Sequence, residues 1–200
     1  MLDVCCGTGD LALAFARDRR VRSVAGVDFS GAMVRAGRAK RLAGGQPMLA
    51  IGDALRLPFR DGAVDVASIA FGLRNLVDPA RGIAEIARTV RSGGRIAILE
   101  FFRPGSGPGA RIFRWYFRNI LPRIGRQLTR QTAIDAYRYL PESVDRFASP
   151  DEVAAWCGDA GFEAIECERF LFGSVVLVSG RRRAASAPCA RVVPAAVCVA

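Results

Sequence analysis

The sequence predicts an α/β fold: a Rossmann-like, mostly parallel sheet that ends in a C-terminal antiparallel hairpin. Three observations predict it. A short β run at the N-terminus, Met1-Leu2-Asp3-Val4-Cys5-Cys6, enters a glycine loop, Gly7-Thr8-Gly9-Asp10, and then an apolar helix-like run from Leu11 to Ala16. Apolar β runs then alternate with helix-like stretches, as expected for parallel strands covered on both faces. Near the end, the β runs Glu163 to Phe172 and Ser174 to Ser179 are separated only by Gly173. That gap is too short for a parallel crossover, so the two runs pair as a hairpin.

The glycine loop reads as a cofactor loop. Gly7 and Gly9 lack a Cβ, so the chain can turn with positive φ and let a ligand lie against the backbone. The following helix start offers unpaired N–H groups. Two cofactor classes use such a loop, and the local pattern does not separate them, because Gly7, Gly9 and Ala12 also satisfy the G-x-G-x-x-G/A dinucleotide fingerprint.

The second β run, Val21 to Val27, ends at Asp28, placed 21 residues after Gly7. An acid there accepts hydrogen bonds from the ribose hydroxyls of a bound nucleoside. Ser30 caps the next helix, Gly31 to Arg41. After the break at Gly44-Gly45-Gln46-Pro47, Met48 to Ile51 forms a third strand leading into Gly52-Asp53-Ala54, and Leu57-Pro58-Phe59 is a turn. Val64 to Phe71 is the central strand. Arg74 and Asn75 follow its carboxyl end, where open α/β sheets bind their ligands.

Asp78-Pro79 opens a helix whose apolar face is Ile83, Ile86, Ala87 and Val90, and Ser92-Gly93-Gly94 closes it. Arg95 to Phe101 is a further buried strand. From Ala110 to about Arg130, seven aromatic and aliphatic residues from Ile112 to Leu121 are mixed with six arginines. A core-facing helix with arginines turned to water and a helix lying on a membrane surface both fit this composition. Nucleic acid fits less well, since no recognised module accompanies the charge. Ser149-Pro150-Asp151-Glu152 starts the last helix, which ends near Ala160-Gly161. The whole is one domain over residues 1–180, and residues 181–200 have the composition of a disordered tail.

Composition excludes several functions. The chain has 200 residues and six cysteines with no C-x-x-C spacing, and it has no histidine. Metal binding and every His-based hydrolytic dyad or triad are therefore disfavoured. No run of 18 apolar residues or charged signal region is present, so a cytoplasmic location is expected. The net charge is +10, almost all of it on arginine, since Lys40 is the only lysine. Such an excess suits an anionic partner.

A parallel sheet with a final antiparallel hairpin is a feature of class I methyltransferases. The motifs resemble one family within that class, the S-adenosylmethionine-dependent C-methyltransferases of menaquinone and ubiquinone synthesis. They are Leu2 to Asp10, Leu57-Pro58-Phe59, Phe71-Gly72-Leu73-Arg74-Asn75, Gly93-Gly94-Arg95, Leu99-Glu100-Phe101, Leu121-Pro122-Arg123-Ile124-Gly125, Tyr137-Arg138-Tyr139-Leu140 and Ala160-Gly161-Phe162, in the family's order. The Phe71 to Asn75 and Tyr137 to Leu140 segments are the most specific.

The resemblance implies that Thr8, Asp28, Asp53 and Ala54 contact S-adenosylmethionine beside Gly7 and Gly9, with Asp53 near the adenine. It implies a polyprenyl quinol as acceptor, with demethylmenaquinol favoured and the benzoquinol of ubiquinone synthesis open. Arg74 is expected to stabilise the developing phenolate and Asn75 to orient the ring, and Asp10 and Tyr139 are further base candidates. Two departures stand out. Ala70 occupies a position that is often serine in the family, so one cofactor hydrogen bond is expected to be missing. The family also has a segment of several dozen residues before the first strand, and its absence here predicts an open cofactor pocket and weak or absent methylation. Residues 111–130 are the expected site of peripheral contact with the inner face of the membrane.

Overall fold

The computed structural model describes residues 1–40, 46–103, 105, 107 and 143–184. Its centre is a seven-stranded sheet in the order β3-β2-β1-β4-β5-β7-β6. The strands are β1 (Leu2–Val4), β2 (Ala25–Asp28), β3 (Met48–Ile51), β4 (Val64–Ala70), β5 (Val90–Phe101), β6 (Phe162–Phe170) and β7 (Val175–Arg182). The first five run parallel. β7 is inserted antiparallel between β5 and β6. The predicted hairpin is present, and it closes the sheet as expected.

Helices α1 (Asp10–Ala16), α2 (Gly31–Arg38), α3 (Pro79–Thr89) and α4 (Pro150–Asp159) flank the sheet. Each start follows its sequence. Ser30 Oγ accepts the Met33 N–H, and Asp78 accepts the Arg81 N–H ahead of a proline in the first turn. Ser149 and Glu152 form a reciprocal capping box. Two apolar clusters result. The larger packs Leu2, Val4, Ile69, Ile83, Ile86, Ile98, Phe102, Val153, Phe162 and Val178 between the sheet and α3 and α4. The smaller packs Ala12, Val24, Val34 and Leu49 on the α1 and α2 side.

Three expected boundaries shift for physical reasons. The helix before β5 ends at Thr89, not at Ser92-Gly93-Gly94, and β5 already begins at Val90. The two glycines form a bulge instead: the β4–β5 register jumps from Val64↔Val90 to Val66↔Arg95, and Gly93 has φ 74. A Cβ on Gly94 would lie 2.6 Å from the Asp65 carbonyl oxygen, so no other residue fits there. β2 starts four residues later than expected, at Ala25. At the other end, β7 runs through Arg181 and Arg182, which pair with β5 and β6, so the sheet continues past residue 180. Residues 185–200, most of the expected tail, lie outside the described residues.

Candidate functional site

The strand order reverses between β1 and β4, and the loops after these two strands meet at the carboxyl edge of the sheet. Such a switch point is where an open α/β sheet leaves a crevice. Here a cavity of about 530 Å³ is lined by Cys5, Val27, Asp28, Phe29, Gly52, Asp53, Ala54, Phe71, Gly72 and Asn75, among others. Its size suits a small-molecule ligand.

One close approach shapes it, at Gly72, while Gly7 and Gly9 are not among its lining residues. Gly7 and Gly9 hold φ 55 and 75 in the left-handed region, as the glycine loop predicts. At the cavity wall, a Cβ on Gly72 would meet the Cys5 Cβ at 2.4 Å. Cys5 itself takes φ 54, uncommon for a residue with a side chain. The β1 loop and the β4 loop are thus pressed together along one line.

Asp28 is at the expected place but has a second task. Its Oδ2 accepts the Gly7 N–H at 2.7 Å, and its Oδ1 accepts the Ser30 N–H at 2.8 Å. The carboxylate therefore ties the glycine loop to the start of α2. A carboxylate has about four lone-pair sites, so capacity remains for ligand hydroxyls. Asp53 also lines the cavity, with its Oδ1 accepting the Leu55 N–H at 2.8 Å, and Ala54 is buried beneath it. Phe29, 81% exposed at the rim, was not anticipated. The signal for it was an aromatic residue left unpaired between the strand's acid and the helix cap.

Thr8 and Asp10 lie elsewhere. The Thr8 hydroxyl donates to Asp10 Oδ2 at 2.8 Å and accepts from Lys40 Nζ at 2.8 Å, while Lys40 pairs with Asp10 Oδ1 at 2.6 Å. None of the three lines the cavity. Lys40 and Thr8 hold the exposed Asp10 carboxyl below its ordinary range. Asp10, expected as a base candidate, thus stands in an ion pair with Lys40 and is not among the residues lining the cavity. Tyr139 and residues 111–130 lie outside the described residues. Cys5 and Cys6 remain thiols, since burial pushes both up to about 12.

Beyond β4, Leu73–Asn75 forms a single 3-10 turn that carries Asn75 to the cavity. Asn75 lines the cavity, and its Nδ2 makes only a long 3.5 Å contact to the Phe71 carbonyl. Arg74 turns inward. Its Nη1 pairs with Glu100 and donates to the Phe71 carbonyl at 2.8 Å, and its guanidinium carbon sits 5.7 Å from the centre of the Phe101 ring. Its ion-pair partner is Glu100, at the end of β5. Glu100 is the residue missed, although a lone acid ending the apolar strand Ile96 to Phe101 could have flagged it. Among the described residues, no cluster of acids and cysteines has metal-binding geometry.

The ubiE/COQ5 methyltransferase family model matches residues 1–182. The chain is 39% identical to the demethylmenaquinone methyltransferase of Thermus thermophilus, over 91% of this chain and 82% of that protein. It is likewise 39% identical to the ubiquinone/menaquinone biosynthesis C-methyltransferase UbiE of Geobacter sulfurreducens, over 91% and 72%. Among solved structures, a SAM-dependent methyltransferase of Aquifex aeolicus matches with TM-score 0.62 at 18% identity, covering 90% of this chain and 80% of that one. The [4+2]-cyclase SpnF matches with TM-score 0.64 at 19% identity, covering 92% and 74%. These structures share the fold. The dinucleotide alternative for the glycine loop is set aside by the family match.

Proposed function

The chain belongs to the ubiE/COQ5 methyltransferase family, and we propose that it moves a methyl group from S-adenosylmethionine to a ring carbon of a reduced polyprenyl quinone, with demethylmenaquinol as the favoured acceptor. The observation that carries this reading is the switch-point cavity, bounded by Asp28 on one side and the Phe71–Asn75 turn on the other, in a chain 39% identical to a demethylmenaquinone methyltransferase.

The residues fit the cofactor. Asp28 keeps lone pairs for ribose hydroxyls, Asp53 and Ala54 flank the same cavity, and Gly52 and Gly72 leave room where a side chain would strike Val27 or Cys5. S-adenosylmethionine, when bound, supplies an electrophilic methyl group. The chain's own task is to orient the acceptor and stabilise the negative charge that its ring oxygen develops. Arg74 carries a permanent charge for that purpose, and Asn75, whose side chain makes only a 3.5 Å contact among the described residues, is available to orient the ring. Tyr139 remains a candidate for the proton transfer.

A second reading, methylation of the polyprenyl-benzoquinol of ubiquinone synthesis, is favoured by the Geobacter and Geotalea relatives, whose names cover both quinones. Supplying the protein with each quinol and cofactor, and identifying products by mass spectrometry, decides between them. Methylation of only the benzoquinol would overturn the menaquinol reading, and methylation of neither would overturn both.

Access to a lipid-soluble acceptor is part of the same proposal. The arginines and aromatics of residues 111–130 suit an anionic membrane face inside the cell. Co-sedimentation with anionic vesicles at low salt, declining as salt rises, is the expected result. Among the described residues, no helix is long and apolar enough to cross a membrane.

A further inference from the structure

A second cavity, of about 490 Å³, adjoins the first. Leu76 lines both; Asn75 lines only the first and Arg74 only the second, so the two spaces meet at this turn. The remaining wall comes from α3, α4 and the segment before α4, including Arg146, Phe147 and Trp156. Its volume again lies within the range of small-molecule sites.

The chemistry of this wall is specific. Phe147 and Trp156 offer flat apolar faces, and the Phe147 ring is held 5.5 Å from the buried Phe102 ring. Two cations join them. Among the described residues, the Arg74 guanidinium is anchored through Nη1 alone and its Nε is buried with no hydrogen-bond partner; the side chain is 9% exposed. An unpartnered buried donor is costly, so the guanidinium gains by turning toward an acceptor. Arg146 is exposed at the cavity and has no ion pair or hydrogen bond among the described residues. Glu152 is the acid among the described residues of the wall, and its Oε2 accepts from both the Ser149 N–H and the Ser149 hydroxyl. Glu152 keeps its charge, so the wall is selective through the N–H donors that Arg146 and Arg74 leave open among the described residues, not through a net positive charge.

We propose that this second cavity is the acceptor-ring site, and that it binds the ring as an aromatic anion. Phe147 and Trp156 take the faces, and Arg146 together with Arg74 takes the ionised oxygen. This rests on the methyltransferase reading above and adds where the acceptor lies and which ionisation state is selected.

The test uses the full chain saturated with S-adenosylmethionine. The probe is the anion of 2-hydroxy-1,4-naphthoquinone, which cannot be mistaken for the cofactor, and the readout is calorimetric affinity. Arg146→Gln is expected to weaken the probe about tenfold, the loss of one charge-assisted contact, and Trp156→Leu to weaken it as well. Neutral 1,4-naphthoquinone should bind less tightly than the anion and be indifferent to Arg146→Gln. Affinity for S-adenosylmethionine and the thermal unfolding of Arg146→Gln should stay as in the parent chain. Unchanged probe affinity in both variants, or competition between probe and S-adenosylmethionine, overturns the cavity assignment and leaves the methyltransferase reading standing. Failure of the parent chain to bind S-adenosylmethionine overturns both.

Discussion

Glu100 holds Arg74 at two points: its Oε2 accepts the Arg74 main-chain N–H at 3.3 Å, and its Oε1 pairs with the guanidinium Nη1. The same carboxylate accepts the Phe101 N–H at 2.7 Å. Burial pushes the Glu100 carboxyl above its ordinary range, and Arg74 opposes that shift. The end of β5 is in this way fastened to the turn that separates the two cavities.

The pair should be costly to break and dispensable for folding. Glu100→Gln leaves a buried guanidinium without its counter-charge, a change expected to cost about 3 kcal/mol, read by denaturant unfolding. Replacing both partners, Arg74→Met with Glu100→Leu, should recover most of that stability, because two desolvated charges give way to packed apolar groups. Turnover should not recover. Arg74→Lys should lower turnover while cofactor affinity holds, since lysine keeps the charge and loses the planar fork. Full turnover in the double replacement would remove Arg74 from the mechanism.

The extent to which this arrangement could be read from the sequence differs residue by residue. The glycine loop, the acid ending β2, the caps at Ser30, Asp78 and Ser149, and the hairpin around Gly173 are local signals, and each is present in the structure, although some element ends shift by several residues. The Arg74–Glu100 pair spans 26 residues and the Lys40–Asp10 pair spans 30. Neither partner carries a local pattern that names the other, so only the sheet order reveals them. For the same reason Asp10 looked like a free acid beside the glycine loop until α2 brought Lys40 onto it.

Asp28 is read best through the backbone it holds. Asp28→Asn keeps the shape but replaces one oxygen by an N–H₂ group, so either the Gly7 or the Ser30 amide loses its acceptor. We expect a stability loss of about 1–2 kcal/mol together with weaker cofactor binding. Calorimetry on Ser30→Ala, which removes only the helix cap, separates the two effects. If both variants bind the cofactor equally well, the loop anchoring does not shape the site.

Asp3 gives the fold a pH signature. It is 1% exposed, and Ser68 Oγ donates to its Oδ1 at 2.8 Å. Burial, the largest influence, raises its carboxyl from an ordinary 3.8 to about 6, against the Ser68 hydrogen bond. The native state then binds the proton more tightly than the unfolded chain. Stability from this group is present below about pH 4 and is lost as pH rises through about 6, by up to about 3 kcal/mol. Asp3→Asn should flatten that part of the unfolding profile. Identical slopes in the two proteins between pH 4 and 7 would assign the dependence to other groups.

The contact between Gly72 and Cys5 allows the tightest test of the site's shape. A methyl at residue 72 would stand 2.4 Å from the Cys5 Cβ and 3.2 Å from its Sγ, distances that require one of the two loops to move. Both loops border the cofactor cavity, so Gly72→Ala should weaken S-adenosylmethionine binding through displacement of the walls. The obstructing atom is a side-chain carbon, which suggests a direct rescue. Cys5→Gly removes it, and glycine accepts the φ of 54 found there without penalty. The double variant should therefore bind the cofactor more tightly than Gly72→Ala alone, the two changes being strongly non-additive because they share one contact. Additive losses in calorimetry would mean that the loops are not held against each other in solution, and that the cavity tolerates a wider separation of β1 and β4.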